Sequence, residues 1–319
     1  MGRKGEKTKV ATDRDEIIAR IPAACSNEAA AVKFFEDMRW GDTPACPRCG
    51  DTNVYTMKDA ATGKRQADHR WRCRGCKQQF TVRIGTVLEE SRIPLRHWAY
   101  AFWRASTSKK GASALEIKRH TGLGYKSALF LMHRIRLAMS SEPTGALGGT
   151  VEVDETYVGG KPRYRSATNP RGHTHKTPVL ALVERGGNVR ARVVADVTVA
   201  TLKAAVREHV KPSARLMTDE YVGYKGLGRE FAGGHETVKH SAHEYARGDA
   251  TTNTVEGFFS LLKRGVYGTY HNVSKRHLHR YVSEFEFRYN GRKLTDGERT
   301  RLAIRGAEGK RIMYRDSSL

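Results

Sequence analysis

Asp249-Ala-Thr-Thr-Asn253-Thr-Val-Glu256-Gly-Phe-Phe-Ser-Leu-Leu-Lys263-Arg264-Gly-Val-Tyr-Gly268 reads as an amphipathic helix. Val255, Phe258, Phe259 and Leu262 fall at i, i+3, i+4 and i+7, which makes one apolar face. Glu256 and Lys263 are seven residues apart, nearly two whole turns, so they stack on one face. That face carries a carboxylate at the start of the helix and a cation below it. Asn253 with Glu256 three residues later also has the form of a capping box, an ordinary helix start. What else Glu256 does depends on the acids that the rest of the chain brings to it.

Upstream, Val151 and Val153 alternate with Glu152 and Asp154, the pattern of a strand. Leu180–Glu184 and Val189–Val194 follow, separated by the hairpin turn Arg185-Gly-Gly-Asn188. Next come a helix over Thr201–Val210, a short strand Arg215–Asp219 ending in an acid, and a further strand near Thr237–Lys239. Three antiparallel strands, helix, strand, helix, strand, helix is the order of the ribonuclease-H-like α/β fold. Asp154 sits on the first strand, Asp219 ends the fourth, and Glu256 opens the last helix. Adjacent strands with an opposing helix N-terminus can bring these carboxylates within a few ångströms. Such a cluster repels itself unless divalent cations bind it. Two Mg²⁺ or Mn²⁺ ions about 4 Å apart would then clamp the attacking and leaving oxygens of a phosphodiester. Of the other acids, Glu152 should share the strand face of Asp154 and Glu155 should point away; both read as surface charges. Glu220 faces elsewhere, and Asp249 is expected to interact with the helix N-terminus. His240 and His243 read as DNA-proximal or structural. Lys161, Arg163, Arg165 and Arg171 lie in a Gly- and Arg-rich segment that reads as a mobile loop, either closing on DNA or simply solvated. A helix over Lys275–Asn290 has Leu278, Tyr281, Val282 and Phe285 on its inner face.

Toward the N-terminus, Cys46-Pro-Arg-Cys49 and Cys73-Arg-Gly-Cys76 supply four thiolates on two tight turns, with short strands between and after them. This is a zinc ribbon: a closed four-sulfur site holding one structural Zn²⁺, with no open position for catalysis. The fifth cysteine, Cys25, stands alone and reads as a small hydrophobe. Arg48, Arg70, Arg72, Arg74 and Lys77 surround the metal, as phosphate contacts or as a solvated face. Ser113 and Glu116 have the form of a capping box opening a short helix, Thr121–Gly124 is a turn, and Tyr125–Met139 is a longer helix. Ala128, Leu131, Met132 and Ile135 point inward on that helix; Lys126, Ser127, His133, Arg134 and Arg136 point outward. The pattern fits a helix-turn-helix that reads DNA, and an ordinary helical hairpin fits it too. Over 319 residues, 57 Lys+Arg against 34 Asp+Glu give a net charge of +23, which implies a polyanionic partner, nucleic acid first. A hydrophobic content of 39% excludes a disordered chain. The apolar runs are too short to span a bilayer, and no signal-peptide pattern opens the chain.

The stretch Val-Glu-Val-Asp154-Glu-Thr-Tyr-Val-Gly-Gly-Lys161, the Thr-Asp219-Glu and Asn253-Thr-Val-Glu256-Gly-Phe-Phe-Ser-Leu-Leu-Lys263-Arg-Gly resemble the DDE-type transposases of bacterial insertion sequences. The likeness is strongest to the group with an N-terminal zinc ribbon before an integrase-like domain, and it covers about residues 20–295. The resemblance implies that Asp154 and Asp219 are metal ligands, that Glu256 is the third acid, and that Lys263 contacts DNA near the scissile phosphate. Members of the group differ at the third position, where Asn can replace the acid, so Asn253 keeps a claim as an auxiliary site residue beside Glu256. Lys126, Arg134, Arg136, Lys161, Arg163, Lys263 and Arg264 are the expected DNA contacts.

The implied protein is a transposase. Water attacks a phosphodiester at the element end, and the freed 3′-OH attacks target DNA. Its partners are double-stranded DNA, as terminal inverted repeats and target, and a second copy or larger synaptic assembly; its place is the bacterial cytoplasm, with the nucleoid. The alternatives are a ribonuclease-H-like structure-specific nuclease and a catalytically inactive zinc-ribbon DNA-binding regulator. The expected organisation is a basic disordered arm (1–14), a short helical region (15–42), the zinc ribbon (43–90) and a helical DNA-binding segment (91–140). A linker (141–149), the ribonuclease-H-like domain (150–295) and a polar tail (296–319) complete it.

Overall fold

The computed structural model describes residues 9–140, 145–159, 176–238 and 246–314. The chain divides into two compact units, one of Met1–Met139 with Leu294–Leu319 and one of Ser140–Lys293.

The first unit contains helices α1 (Lys9–Ser26) and α2 (Glu28–Trp40), a three-stranded ribbon, helices α3 (Leu95–Thr107), α4 (Ala114–Thr121) and α5 (Tyr125–Met139), and α9 (Asp296–Arg305) from the far end of the chain. The ribbon strands are β1 (Val54–Thr56), β2 (Trp71–Cys73) and β3 (Gln79–Phe80), antiparallel in that order. Helix α1 starts inside the stretch expected as a disordered arm; residues 1–8 lie outside the described residues. Asn27 caps α2 by accepting from the Ala30 N–H at 3.0 Å. The ribbon is fastened to α2 by aromatic packing of Trp40, Trp71 and Phe80. Glu36, 5% exposed, adds polar bonds, accepting from Arg65 and from the Trp71 indole N–H at 2.6 Å. The expected polar tail is a helix as well. Thr295 and Glu298 form a true capping box at its start. Ala303, Ile304 and Ala307 are buried against the other helices of this unit.

The second unit is built on a five-stranded sheet of order β6-β5-β4-β7-β8. Its strands are β4 (Thr150–Val158), β5 (Thr177–Glu184), β6 (Val189–Val193), β7 (Arg215–Asp219) and β8 (His235–Val238). β4, β5 and β6 are antiparallel neighbours, while β7 and β8 run parallel to β4. With helix α6 (Val199–His209) leading from β6 to β7, this is the ribonuclease-H-like arrangement. Leu147, inside the expected linker, is buried in this unit's core at 3% exposure. The sheet is covered on both sides, so the inner strand β5, between β6 and β4, reads as an unbroken apolar run. Leu180 and Leu182 face α6, together with Val151 and Val153. Val179, Ala181 and Val183 face helices α7 (Asn253–Gly265) and α8 (Leu278–Asn290). One expected helix is missing. Between β7 and β8 the chain makes two short 3₁₀ turns, Val222–Tyr224 and Leu227–Arg229. Gly223, Gly226 and Gly228 within seven residues explain it, since each glycine weakens a helix by roughly 1 kcal/mol.

Candidate active site

β4 and β7 pair in parallel with Thr150 beside Arg215, Val151 beside Leu216 and Glu152 beside Met217. Carried two residues further, the same register sets Asp154 level with Asp219. Side chains alternate along a strand, so both aspartates share a face with Glu152 and Met217. That face is the one α7 covers: Met217 packs with Ala250 just before the helix, and Val158 packs with Val255 and Phe258 on it. Glu256 stands in the first turn of α7, exposed, and its carboxylate accepts from the Thr252 hydroxyl at 3.1 Å.

The electrostatics tie the three acids together. Burial pushes Asp154 up from 3.8 to about 7; a bond from the Glu155 N–H opposes this, and the charges of Glu155, Asp219 and Glu256 add to it. The three carboxylates are not closed into a tight cluster. Among the described residues, the group of three or more potential metal ligands with all atoms within 4.8 Å of one another is the four cysteines. Like charges spread in this way.

Glu152 is not a surface charge. It is fully buried, and its carboxylate accepts from the Thr254 N–H at 2.7 Å, the Val255 N–H at 3.0 Å and the Thr254 hydroxyl at 2.8 Å. Arg185, from the β5–β6 turn, donates to the same carboxylate at 2.7 Å and to the Thr251 carbonyl at 2.9 Å. The free N–H groups at the start of α7 are therefore met by an acid about a hundred residues earlier. This replaces the expected capping box: Asn253 is the first helical residue, Thr252 holds the cap position, and neither caps with its side chain. Asp249 does not meet the helix either. It pairs with Arg215, as does Glu236. Glu155 points to the opposite side of the sheet, where it is half-buried and accepts from the Tyr224 hydroxyl at 2.7 Å. Burial raises both of those groups, and the bond from Tyr224 partly offsets the rise in Glu155.

No signal for the Glu152 latch is present in the sequence: Val151 and Val153 alternate with Glu152 and Asp154, the pattern of a strand with one polar face. Arg185 and the start of α7 could not be named as its partners, since a turn and a helix distant in sequence meet it only through the topology.

The four thiols form the second centre. Cys46 and Cys76 sulfurs are 3.7 Å apart, Cys49 and Cys73 sulfurs 3.6 Å. Four sulfurs about 2.3 Å from a central Zn²⁺ would be separated by roughly 3.8 Å, the edge of the tetrahedron. The donor set and its dimensions fit one structural zinc ion. Burial raises the Cys46 thiol, but N–H groups of Arg48 and Cys49 and the thiols of Cys76 and Cys49 outweigh it and bring it to about 7, toward the thiolate that a metal needs.

The expected DNA contacts divide three ways. Lys126 and Arg264 are exposed and Lys263 is half-buried. Arg134 and Arg136 point inward instead of outward, at 7% and 1% exposure, as does His133 at 4%. Arg134 donates to the Glu89 carbonyl at 2.9 Å and lies over the Phe130 ring. The helix turns more than one face into the unit, because α3, α4 and α9 all pack against it. In the helical pair, Ser113 caps α4 while Glu116 bonds Arg104, so half of that capping box forms. Lys161, Arg163, Arg165, Arg171, His240 and His243 lie outside the described residues.

Among the described residues, no helix is long and apolar enough to cross a membrane. Residues 146–290 match the ISXO2-like transposase domain, and residues 26–79 match the transposase zinc-ribbon domain. An uncharacterized protein in transposable element ISH50 of Halobacterium salinarum is 29% identical over 278 residues, 82% of this chain and 90% of that protein. An uncharacterized transposase-like protein of Haemophilus influenzae is 32% identical over 103 residues, 32% of this chain and 80% of that protein. Among solved structures, the simian T-cell lymphotropic virus intasome in complex with PP2A regulatory subunit B56 gamma overlaps 55% of this chain and 64% of its own, at 14% identity and a TM-score of only 0.29. The four-cysteine ribbon falls on the matched zinc-ribbon domain, the ribonuclease-H-like sheet falls on the matched ISXO2-like transposase domain, and the chain belongs to the transposases.

Proposed function

We propose that this transposase cuts the ends of its element by metal-dependent phosphodiester hydrolysis and joins the freed 3′-OH to target DNA. The reading is carried by one observation: Asp154 and Asp219 lie on neighbouring parallel strands whose register, continued past Glu152 and Met217, would set them level, with Asp154 raised to about 7 chiefly by burial and partly by the charges of Glu155, Asp219 and Glu256. A donor set made only of carboxylate oxygens suits Mg²⁺ or Mn²⁺. Two such ions, held by Asp154, Asp219 and Glu256, would supply the Lewis acidity that the attacking and leaving oxygens require. The chain's own groups do the rest. Glu152 and Arg185 hold the start of α7, the turn that carries Glu256. Lys263 lies about 10 Å further along the same helix face, where its ammonium holds a phosphate of the strand being cut. Arg264 and Lys126 add charge for DNA, and Asn253, exposed at the start of α7, offers an amide to a neighbouring phosphate. Cutting two ends together calls for a dimer or larger assembly on double-stranded DNA, and places the protein with the chromosome in the cytoplasm.

The test is cleavage and strand transfer by purified protein on DNA flanking its own gene, with and without Mg²⁺. Asp154→Asn and Glu256→Gln should abolish both reactions and leave DNA binding in place. Undiminished cleavage by Asp154→Asn overturns the proposal. Degradation of generic DNA without joining would instead indicate a nuclease of the same chemistry. DNA binding indifferent to Mg²⁺ and to Glu256→Gln, without cleavage, would indicate a regulator.

A further inference from the structure

Beyond the acids, β4 and α7 run side by side in the same sense: Glu152 meets Thr254 at one end, and the Tyr267 hydroxyl meets the Gly159 carbonyl at 3.4 Å at the other. At that far end lies a cavity of about 380 Å³. Val158, Val266 and Val273 give it apolar walls, and Tyr267, His271, Asn272 and Lys176 give it an aromatic ring and polar groups.

Its local structure is unusual in two ways. After Gly265 the helix widens into a π turn over Val266–Tyr270, a rare form that is frequent at functional sites. His271 then takes φ +59° and ψ −45°, and the Asn272 N–H bonds the Tyr270 carbonyl at 2.6 Å, a γ-turn of the rare, strained kind. Such a turn persists only where its surroundings impose it. Here Tyr270 is drawn inward, its hydroxyl donating at 2.7 Å to the Glu284 carboxylate, itself buried with Arg288. Tyr267 is left outward, 48% exposed. Eleven residues separate it from Glu256, three turns and a little more, so Glu256, Lys263 and Tyr267 descend one face of the helix. From Glu256 to Tyr267 is about 16 Å along the axis, four or five stacked nucleotides of a DNA strand at ~3.4 Å each.

We propose that this cavity receives an unstacked nucleobase of the DNA strand that runs from the acidic site along α7, with Tyr267 as its stacking platform, Asn272 and His271 reading its edge and Lys176 meeting its phosphate. The direction of the strand rests on the transposase reading above. The chemistry of the cavity does not: a lining of one aromatic ring, valine side chains, an amide and a cation fits a nucleotide. The chain's net charge of +23 favours a polyanion over a neutral ligand.

The experiment uses the full chain without added divalent cation, and two probes: a fully paired DNA duplex, and the same duplex with a single-stranded overhang carrying 5-iododeoxyuridine. Light should crosslink the overhang to Tyr267, as mapped by mass spectrometry. Tyr267→Ala should weaken binding of the overhang probe about tenfold and leave the paired duplex unchanged. Tyr267→Phe, which keeps the ring, should bind as the parent does, and Asn272→Ala should weaken the overhang probe alone. Crosslinks that map elsewhere, or affinities for the two probes that stay in the parental ratio in Tyr267→Ala, overturn the proposal. Neither readout requires cleavage. If Asp154→Asn still cuts DNA while Tyr267 retains its overhang preference, the catalytic reading falls and the base pocket stands.

Discussion

Asp154 is the residue on which charge, burial and proposed chemistry meet. Its carboxyl is raised from 3.8 to about 7, chiefly by burial. The folded chain thus keeps a proton that the unfolded chain releases over that interval. Stability falls with pH wherever the folded state binds more protons, so the metal-free protein loses stability from about pH 4 to about pH 7. About three pKa units correspond to at most ~4 kcal/mol. Asp154→Asn has no proton to lose and escapes this cost. In buffer without added divalent cation, the variant should melt close to the parent near pH 4 and increasingly above it up to pH 7, with no further gain beyond. Added Mg²⁺ should raise the melting temperature of the parent more than that of the variant. A parent that melts higher than Asp154→Asn at pH 7 without metal would show that burial does not penalise the charge as described. A chelator is the wrong control, because it would also attack the four-thiol centre.

At the scale of the element, α7 is held by both of its ends. Its start rests on Glu152, and its end lies so close to α8 that a Cβ on Gly265 would stand 2.0 Å from the Phe285 ring. Glu152→Ala would leave two N–H groups and Arg185 without their common acceptor, at a cost of about 3 kcal/mol. It should also lower cleavage by more than the loss of folded protein explains, because Glu256 rides on that turn. Urea unfolding beside cleavage rates, normalised to folded protein, would check this. Stability unchanged within about 0.5 kcal/mol would remove the latch from the account. The apolar faces of α7 and α8, the two CxxC pairs and the strand alternation were all legible in sequence, because each depends on neighbours a few residues away. What holds α7 was not. The Asn253–Glu256 spacing has the form of a capping box and makes none, since the buried acid of β4 takes the N–H groups first. Thr295-Asp-Gly-Glu298 has the same form, makes the full box, and starts the helix that a polar composition concealed. Helix α9 buries Gly297, Thr300 and Ala303, small residues that carry little hydrophobic signal yet permit close packing. The placing of β7 beside β4 agrees with the strand order read from sequence, whereas the outward reading of Arg134 and Arg136 failed because more than one helix packs on α5.

At the scale of the molecule, the two units are not two halves of the chain. The first is completed by residues that follow the second: Val87 bonds the Ala307 carbonyl at 3.1 Å, Gly309 bonds the Gly85 carbonyl at 2.8 Å, and Arg39 pairs with Glu308. Gly306 fits so tightly that a Cβ there would lie 2.3 Å from the Ala138 carbonyl oxygen. Ile304 and Ala303 are 5% and 0% exposed, and burying an isoleucine alone is worth about 1.5–3 kcal/mol. With the polar bonds added, residues 294–319 contribute on the order of 5 kcal/mol, comparable to the whole stability of a small domain. A chain ending at Lys293 should therefore fail in its N-terminal unit, far away in sequence, while the ribonuclease-H-like unit stays folded. Limited proteolysis would show it: rapid cutting within residues 16–139, and a resistant fragment that begins near residue 145. Adding residues 294–319 back as a separate peptide should restore protection to the first unit. Equal resistance of the full and shortened chains would mean that α9 decorates the first unit without supporting it. Loss of both units together would mean that they fold as one, so the same digestion measures how far the ribonuclease-H-like unit stands alone.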